Sequence, residues 1–184
     1  VQRLLVKAKT ENNQLQLQTL DVDSPQGQLN AQGQATLSGN WPVNMTLYSQ
    51  VNVDPIKGEK IKMTVGGGLR DTLTLALNLS GPVRAQLDAD TQLAEPGLPL
   101  NMTLQSPQLR WPLAGKAPMA ADNLNLSFTG KATDYALSLK AALQGEGLPP
   151  ATVTLDGKGN VEQFALDKLR LAALQGTADL SALV

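Results

Sequence analysis

Leucine takes every second place from Leu73 to Leu79, and threonine, alanine and asparagine fill the places between. Successive side chains of a strand point to opposite faces, so this spacing builds one aliphatic face and one wet face. The same alternation returns at Leu15 and Leu17, at Val43, Met45 and Leu47, and at Leu100, Met102 and Leu104. It returns again at Leu124, Leu126 and Phe128, at Leu137 and Leu139, and at Val153 and Leu155. Period-two runs cover about 3–9, 14–22, 27–37, 42–52, 59–66, 72–80, 83–93, 99–105, 107–111, 123–129, 135–143, 151–157, 161–166, 168–173 and 175–182. Turn residues punctuate them: Ser24-Pro25-Gln26-Gly27, Gly39-Asn40, Asp54-Pro55, Gly66-Gly67-Gly68, Gly81-Pro82, Glu95-Pro96-Gly97, Gly115, Gly145-Glu146-Gly147 and Asp156-Gly157. Long strands joined by short turns predict an all-β antiparallel meander.

One segment also fits a helix, with Val161, Phe164, Ala165, Lys168, Leu169 and Ala172 on one face. Phe164, Leu166, then Leu169, Leu171 also fit two strands with a bulge at Asp167-Lys168, and the strand reading is preferred. Elsewhere no 3.6-residue period stands out. Without helices, the aliphatic face must meet another sheet, curl upon itself, or meet a ligand.

A loose repeat is present. Asn44-Met45-Thr46-Leu47 matches Asn101-Met102-Thr103-Leu104 at a spacing of 57, and Gly67-x-x-x-Asp71 matches Gly130-x-x-x-Asp134 at a spacing of 63. Similar supersecondary units added in series explain it better than a strict solenoid. The 184 residues therefore read as one continuous β-rich segment of a longer repeat protein, 1–184, with no internal boundary. The chain opens and stops within strand-like runs, so targeting signals are expected elsewhere. No run approaches the roughly 18 apolar residues of a membrane helix.

Composition narrows the chemistry. Hydrophobic residues are 42% of the chain, too many for disorder, while charged residues are only 17%. Aromatics are 3%, so the apolar face is smooth and aliphatic. A net charge of −1 without a basic cluster argues against nucleic acid. With no Cys and no His, thiolate chemistry, a Ser-His-Asp arrangement and the usual zinc ligands are all excluded. No catalytic, metal or cofactor site is expected.

Asp21/Asp23 and Asp88/Asp90 each put two carboxylates on one strand face, which suits calcium or glycan chemistry or, more plainly, a solvated face. Gly66-Gly67-Gly68 lacks the Lys-Ser/Thr of a phosphate loop and reads as a hairpin turn or strand break. The glycosylation-like triplets at Asn44, Asn78, Asn101 and Asn125 lie within predicted strands and follow from polar alternation. Trp41-Pro42 and Trp111-Pro112 mark strand boundaries: a groove lip, or a corner plug over a hairpin.

The leucine faces admit three readings: half of a sandwich core, the outside of a membrane barrel, or an open curled sheet. Six aromatics cannot supply the two girdles of a barrel. The segment Val22 to Val43 runs as strand, Gly27, small-residue strand with Gly33 and Gly39, then a Trp41 hairpin, and Leu169 to Leu180 restarts that unit around Gly176. This arrangement resembles the repeated unit of the AsmA-like proteins, and the resemblance runs through all 184 residues.

The resemblance implies a curved, taco-like or tubular sheet with an aliphatic concave face. It also implies a protein anchored in the inner membrane by a segment outside this chain and extending through the periplasm. The implied role is carrying phospholipid between inner and outer membranes in outer-membrane biogenesis. An outer-membrane barrel partner and a chaperone-like part in outer-membrane protein assembly by β-augmentation are implied as well. No catalytic motif comes with it, so the chain is not expected to be an enzyme.

On this reading the groove is lined by Val43, Met45, Leu47, Leu73, Leu75, Leu77, Leu79, Leu100, Met102, Leu104, Leu124, Leu126 and Phe128. An acyl chain gains roughly 0.8 kcal/mol for each methylene it buries. A uniform aliphatic wall offers that gain everywhere, so nothing traps a sliding chain. The uncovered ends of such a face also favour self-association.

Overall fold

The computed structural model describes residues 2–113, 119–173 and 176–183. Two compact units divide the chain, Val1–Ala94 and Glu95–Val184. The first holds strands β1 (Arg3–Glu11), β2 (Gln14–Ser24), β3 (Gly27–Thr36), β4 (Pro42–Val51), β5 (Lys60–Gly68), β6 (Leu73–Ser80) and β7 (Arg84–Thr91). The second holds β8 (Leu100–Trp111), β9 (Met119–Lys131), β10 (Asp134–Gly145), β11 (Leu148–Gly159), β12 (Phe164–Ala173) and β13 (Gly176–Leu183). Within each unit every strand pairs antiparallel with its neighbours in the chain. The expected all-β antiparallel meander is thus the fold.

Turn chemistry explains the short connections. Asn12 and Asn13 both have positive φ, 46° and 63°, and join Glu11 to Gln14, its direct partner. That is a two-residue hairpin of the type whose twist matches the strands, and asparagine tolerates it. Ser24-Pro25-Gln26-Gly27 turns as expected, with the Ser24 hydroxyl donating to the Gly27 carbonyl at 3.1 Å.

Two expected breaks are absent. Gly66-Gly67-Gly68 forms the end of β5, and the turn follows it. Glycine is needed there for a different reason: at Gly67, with φ 104°, an added Cβ would lie 2.1 Å from the Thr72 carbonyl oxygen. Asp156-Gly157 likewise lies inside β11.

Two pairs of expected strands also merge. The runs 99–105 and 107–111 are one strand, β8, in which Pro107 lies opposite Asn123, φ 51°. The runs 161–166 and 168–173 are likewise one strand, β12, with the bulge at Asp167. Proline and an extra residue are accommodated where the ladder is already irregular.

The bulges keep apolar positions on one face. Leu15 and Leu17 are odd-numbered, whereas Leu20 and Val22 are even. A register shift between Leu17 and Leu20 absorbs the extra residue, so all four share a face. The shift between Lys140 and Ala142 does the same for Leu124 and Ala121 in β9.

The sequence repeat has a geometric counterpart in each unit. Val43 pairs with Gly67, which pairs with Leu73; Leu100 pairs with Gly130, which pairs with Tyr135. Gly130, with φ 135°, meets the Asp134 carbonyl as Gly67 meets that of Thr72. The two spacings differ because β8 and β9 have 12 and 13 residues, against 10 and 9 for β4 and β5.

One buried carboxylate ties the loops of the first unit. Glu59 is only 2% exposed, and its Oε2 accepts the Val83 amide at 2.7 Å. An added Cβ at Gly81 would fall 2.7 Å from the Glu59 Cα, so the β6–β7 turn sits directly on the β4–β5 loop. Glu59→Ala is expected to destabilise this unit by about 1–3 kcal/mol, because a buried donor loses its acceptor. Glu59→Gln, which keeps an acceptor oxygen, should lose less. Urea denaturation of the two variants checks the order.

Candidate functional site

The registers sort side chains into two unlike faces. In the first unit Leu47, Met63, Leu77 and Leu87 are mutual cross-strand partners, as are Met45, Val65, Leu75 and Ala89. Toward β1 the same face continues through Ala31 and Leu20 to Val6, and through Leu29 and Val22 to Leu4. Every predicted lining residue of this unit falls on that face: Val43, Met45 and Leu47 from β4, and Leu73, Leu75, Leu77 and Leu79 from β6. Between them β5 adds Ile61, Met63 and Val65, an alternation visible in the sequence but not singled out there.

The second unit repeats the pattern. Met102 pairs with Phe128 and then Leu137, and Leu104 pairs with Leu126 and then Leu139. Leu139 continues to Leu155 and Leu169, and Ala141 to Val153 and Leu171. Leu100, Met102, Leu104, Leu124, Leu126 and Phe128 therefore all lie on one aliphatic face, which the sequence reading had populated from β8 and β9 alone.

Almost nothing covers these faces. Among the described residues only Ala31 and Ala141 are buried hydrophobics. Leu4 is 62% exposed and Val6 55%, and the leucines of β6 are half-buried. Ordinary domains bury their leucines outright. The sandwich-core reading therefore lacks its second layer within either unit.

The opposite faces are wet, and several of their side chains bond to one another. Asn30 donates to the Asp21 carboxylate, and Gln86 to Asp88 at 3.0 Å. In the second unit Gln108 and Gln144 both donate to Asp122, crossing β8, β9 and β10. Arg170 of β12 donates to its cross-strand partner Asp179 at 2.9 Å, and this hydrogen bond holds the Asp179 carboxyl below its ordinary pKa.

No group of three or more potential metal ligands occurs among the described residues, at the Asp21/Asp23 and Asp88/Asp90 pairs or elsewhere. A cleft of about 570 Å³ opens between rows of this wet face, beside Arg3, Asp21, Asp23, Tyr48, Lys60 and Lys62. Charges of both signs line it, unlike the aliphatic rows. The candidate site is the aliphatic face.

The tryptophans take different positions. Trp41 is a corner: Arg70 lies 4.3 Å over its ring, and the Leu69 amide donates to its carbonyl. Trp111 ends β8 and is 67% exposed. The lining expected from the sequence held one ring, Phe128, yet three aromatics gather in the second unit. Phe128 stacks on Tyr135 with centroids 5.0 Å apart, and Tyr135 on Phe164 at 6.4 Å. The sequence hid this cluster, because its members are far apart in the chain.

Comparison with known proteins places the fold in a lineage. The family described as "TamB, N-terminal domain" matches residues 1–184. The chain is 31% identical over 186 residues to the translocation and assembly module subunit TamB of Haemophilus influenzae, covering 96% of this chain and 14% of that protein. It is 18% identical over 171 residues to an uncharacterized protein of Buchnera aphidicola, covering 92% of this chain and 17% of that one. The chain thus spans only a small part of either relative's length. No solved structure matches it. With a match along its whole length, and with the meander and repeated hairpins described above, the chain belongs to the TamB family.

Proposed function

We propose that the aliphatic faces form part of a periplasmic path for phospholipid acyl chains between inner and outer membranes. The supporting observation is the uncovered face: leucine, valine, methionine and alanine in continuous cross-strand rows, with almost no apolar side chain buried. A hydrocarbon chain laid on such a face sheds water along its whole length. The rows are chemically uniform, so displacement by one residue exchanges one aliphatic contact for another. The protein carrying this segment is taken to be anchored in the inner membrane by another part of its chain.

A photo-crosslinker at Leu75 or Met102 of the full-length protein is expected to capture phospholipid in cells. One at Thr74 or Thr103, on the wet face, is expected to capture little. Equal capture from both faces would contradict the path.

A second reading follows from the name of the Haemophilus relative, which places that protein in a translocation and assembly module. On it, the segment shields outer-membrane strands in transit to a barrel partner, TamA. The exposed aliphatic rows support it too, because they would shelter the apolar side of an unfolded strand. Crosslinks from Leu75 or Met102 to client strands, without bound lipid, would favour this reading over the first.

A further inference from the structure

The wet face of the first unit carries an ordered arrangement of charge that the aliphatic path leaves unused. Two cross-strand rows run from β2 to β5. Asp23, Gln28, Gln50 and Lys60 make one, and Asp21, Asn30, Tyr48 and Lys62 make the other. Each row starts on a carboxylate, passes a side-chain amide, and ends on an ammonium. The cleft of about 570 Å³ lies between them. The intervening residues Val22, Leu29, Ser49 and Ile61 send their side chains to the other face, so their backbone forms its floor.

The charges at the two ends are not spent on each other. The ion pairs Lys9–Glu11 and Arg170–Asp179 lie elsewhere, and none of Asp21, Asp23, Lys60 and Lys62 has an ion-pair partner among the described residues. Asn30 donates to Asp21, and Lys62 lies 5.7 Å over the Tyr48 ring. Arg3, opposite Asp23 on β1, offsets one of the two carboxylates, so that end stays negative. The other end is positive.

The distance between the ends decides the size of the ligand. Three interstrand spacings of about 4.8 Å put β2 and β5 roughly 14 Å apart. A free amino acid or a zwitterionic lipid headgroup holds its charges only a few bonds apart and reaches one end at a time. An extended peptide covers about 3.3–3.6 Å per residue, so about four residues span the cleft. Between the ends, Gln28 and Gln50 each present donors and an acceptor, as peptide groups require. The volume also lies within the ordinary range of small-ligand sites, about 300–1,000 Å³.

We propose that this cleft binds a short zwitterionic peptide of about four residues, with its amine at Asp21 and Asp23 and its carboxylate at Lys60 and Lys62. The site is on the face opposite the acyl path and does not depend on it.

The test is binding of tetra-alanine to the full-length protein, followed by saturation-transfer NMR. Acetylating the amine or amidating the carboxylate should each weaken binding about two- to fivefold, the range of one exposed charge pair. Dialanine, too short to reach both ends, should bind no better than either capped tetrapeptide. Asp21→Asn with Asp23→Asn should weaken free tetra-alanine by the same factor and leave the acetylated peptide unchanged. Lys60→Gln with Lys62→Gln should do so for the free peptide and leave the amidated one unchanged. All four positions are at the surface, and circular dichroism checks that the variants keep their sheet. Absence of binding, dialanine binding as well as tetra-alanine, or variants that weaken free and capped peptides alike would each overturn the proposal. Equal binding of chitotetraose, which has neither charge, would overturn the assignment of a peptide.

Discussion

Replacing Leu75 and Leu77 together by aspartate is expected to stop the lipid passage proposed above while leaving the sheet intact. The two leucines are neighbours on the apolar face of β6, opposite Val65 and Met63 on one side and Ala89 and Leu87 on the other. A chain crossing this row gains roughly 1.5–3 kcal/mol of contact per leucine-sized patch. Two carboxylates abolish that gain, and burial against hydrocarbon would strip them of water, which is costlier still. A barrier of about 3 kcal/mol already slows passage roughly a hundredfold.

Folding should survive, because the leucines are only half-buried and the new carboxylates are solvated whenever no lipid is present. The measurement is phospholipid delivery to the outer membrane by the full-length double variant, with β-sheet content checked by circular dichroism. Normal delivery by a folded variant would rule out conduction through this stretch.

Deleting Ala76 should be far more damaging than deleting Gln18. Both residues lie in strands flanked by leucines, but β6 is regular on both sides and β2 carries a bulge. Without Ala76, either Leu73 and Leu75 or Leu77 and Leu79 must turn to the wet face, since side-chain direction alternates strictly. The loss is about 2–3 kcal/mol for two half-buried leucines. Without Gln18, Leu15, Leu17, Leu20 and Val22 fall into plain alternation and the bulge has no residue left to absorb. That deletion should be within about 0.5 kcal/mol of neutral. Urea midpoints and protease resistance of the two deletions decide the point, and equal damage would mean that the bulge has another purpose.

Much of this was legible in the residues. Alternation of leucine with threonine and asparagine is a local property, and it determined that the chain is β and which positions share a face in β4, β6, β8 and β9. Even the bulge at Asp167 could be read, because Leu166 and Leu169 are out of phase. The repeat of Gly67 and Gly130 was visible too, although not its cause, which is a carbonyl lying where a Cβ would sit.

Other features were not legible. Gly67 and Gly157 look like turns in sequence and are strand in space, and the crowding that requires glycine comes from Thr72 and Phe164. Glu59 carried no signal, because its burial depends on a turn 22 residues later at Gly81. The aromatic row joins β9, β10 and β12 and exists only once the registers are set.

The sequence by itself determined a two-faced antiparallel meander, because side-chain alternation and turn residues act over a few positions. Only the tertiary structure decided that no second layer packs on these faces within either unit. Whether a face is covered depends on which strands become neighbours and whether any second layer packs on them. Here pairing runs in chain order within each unit, so each strand meets only its own neighbours and the leucine face is left open.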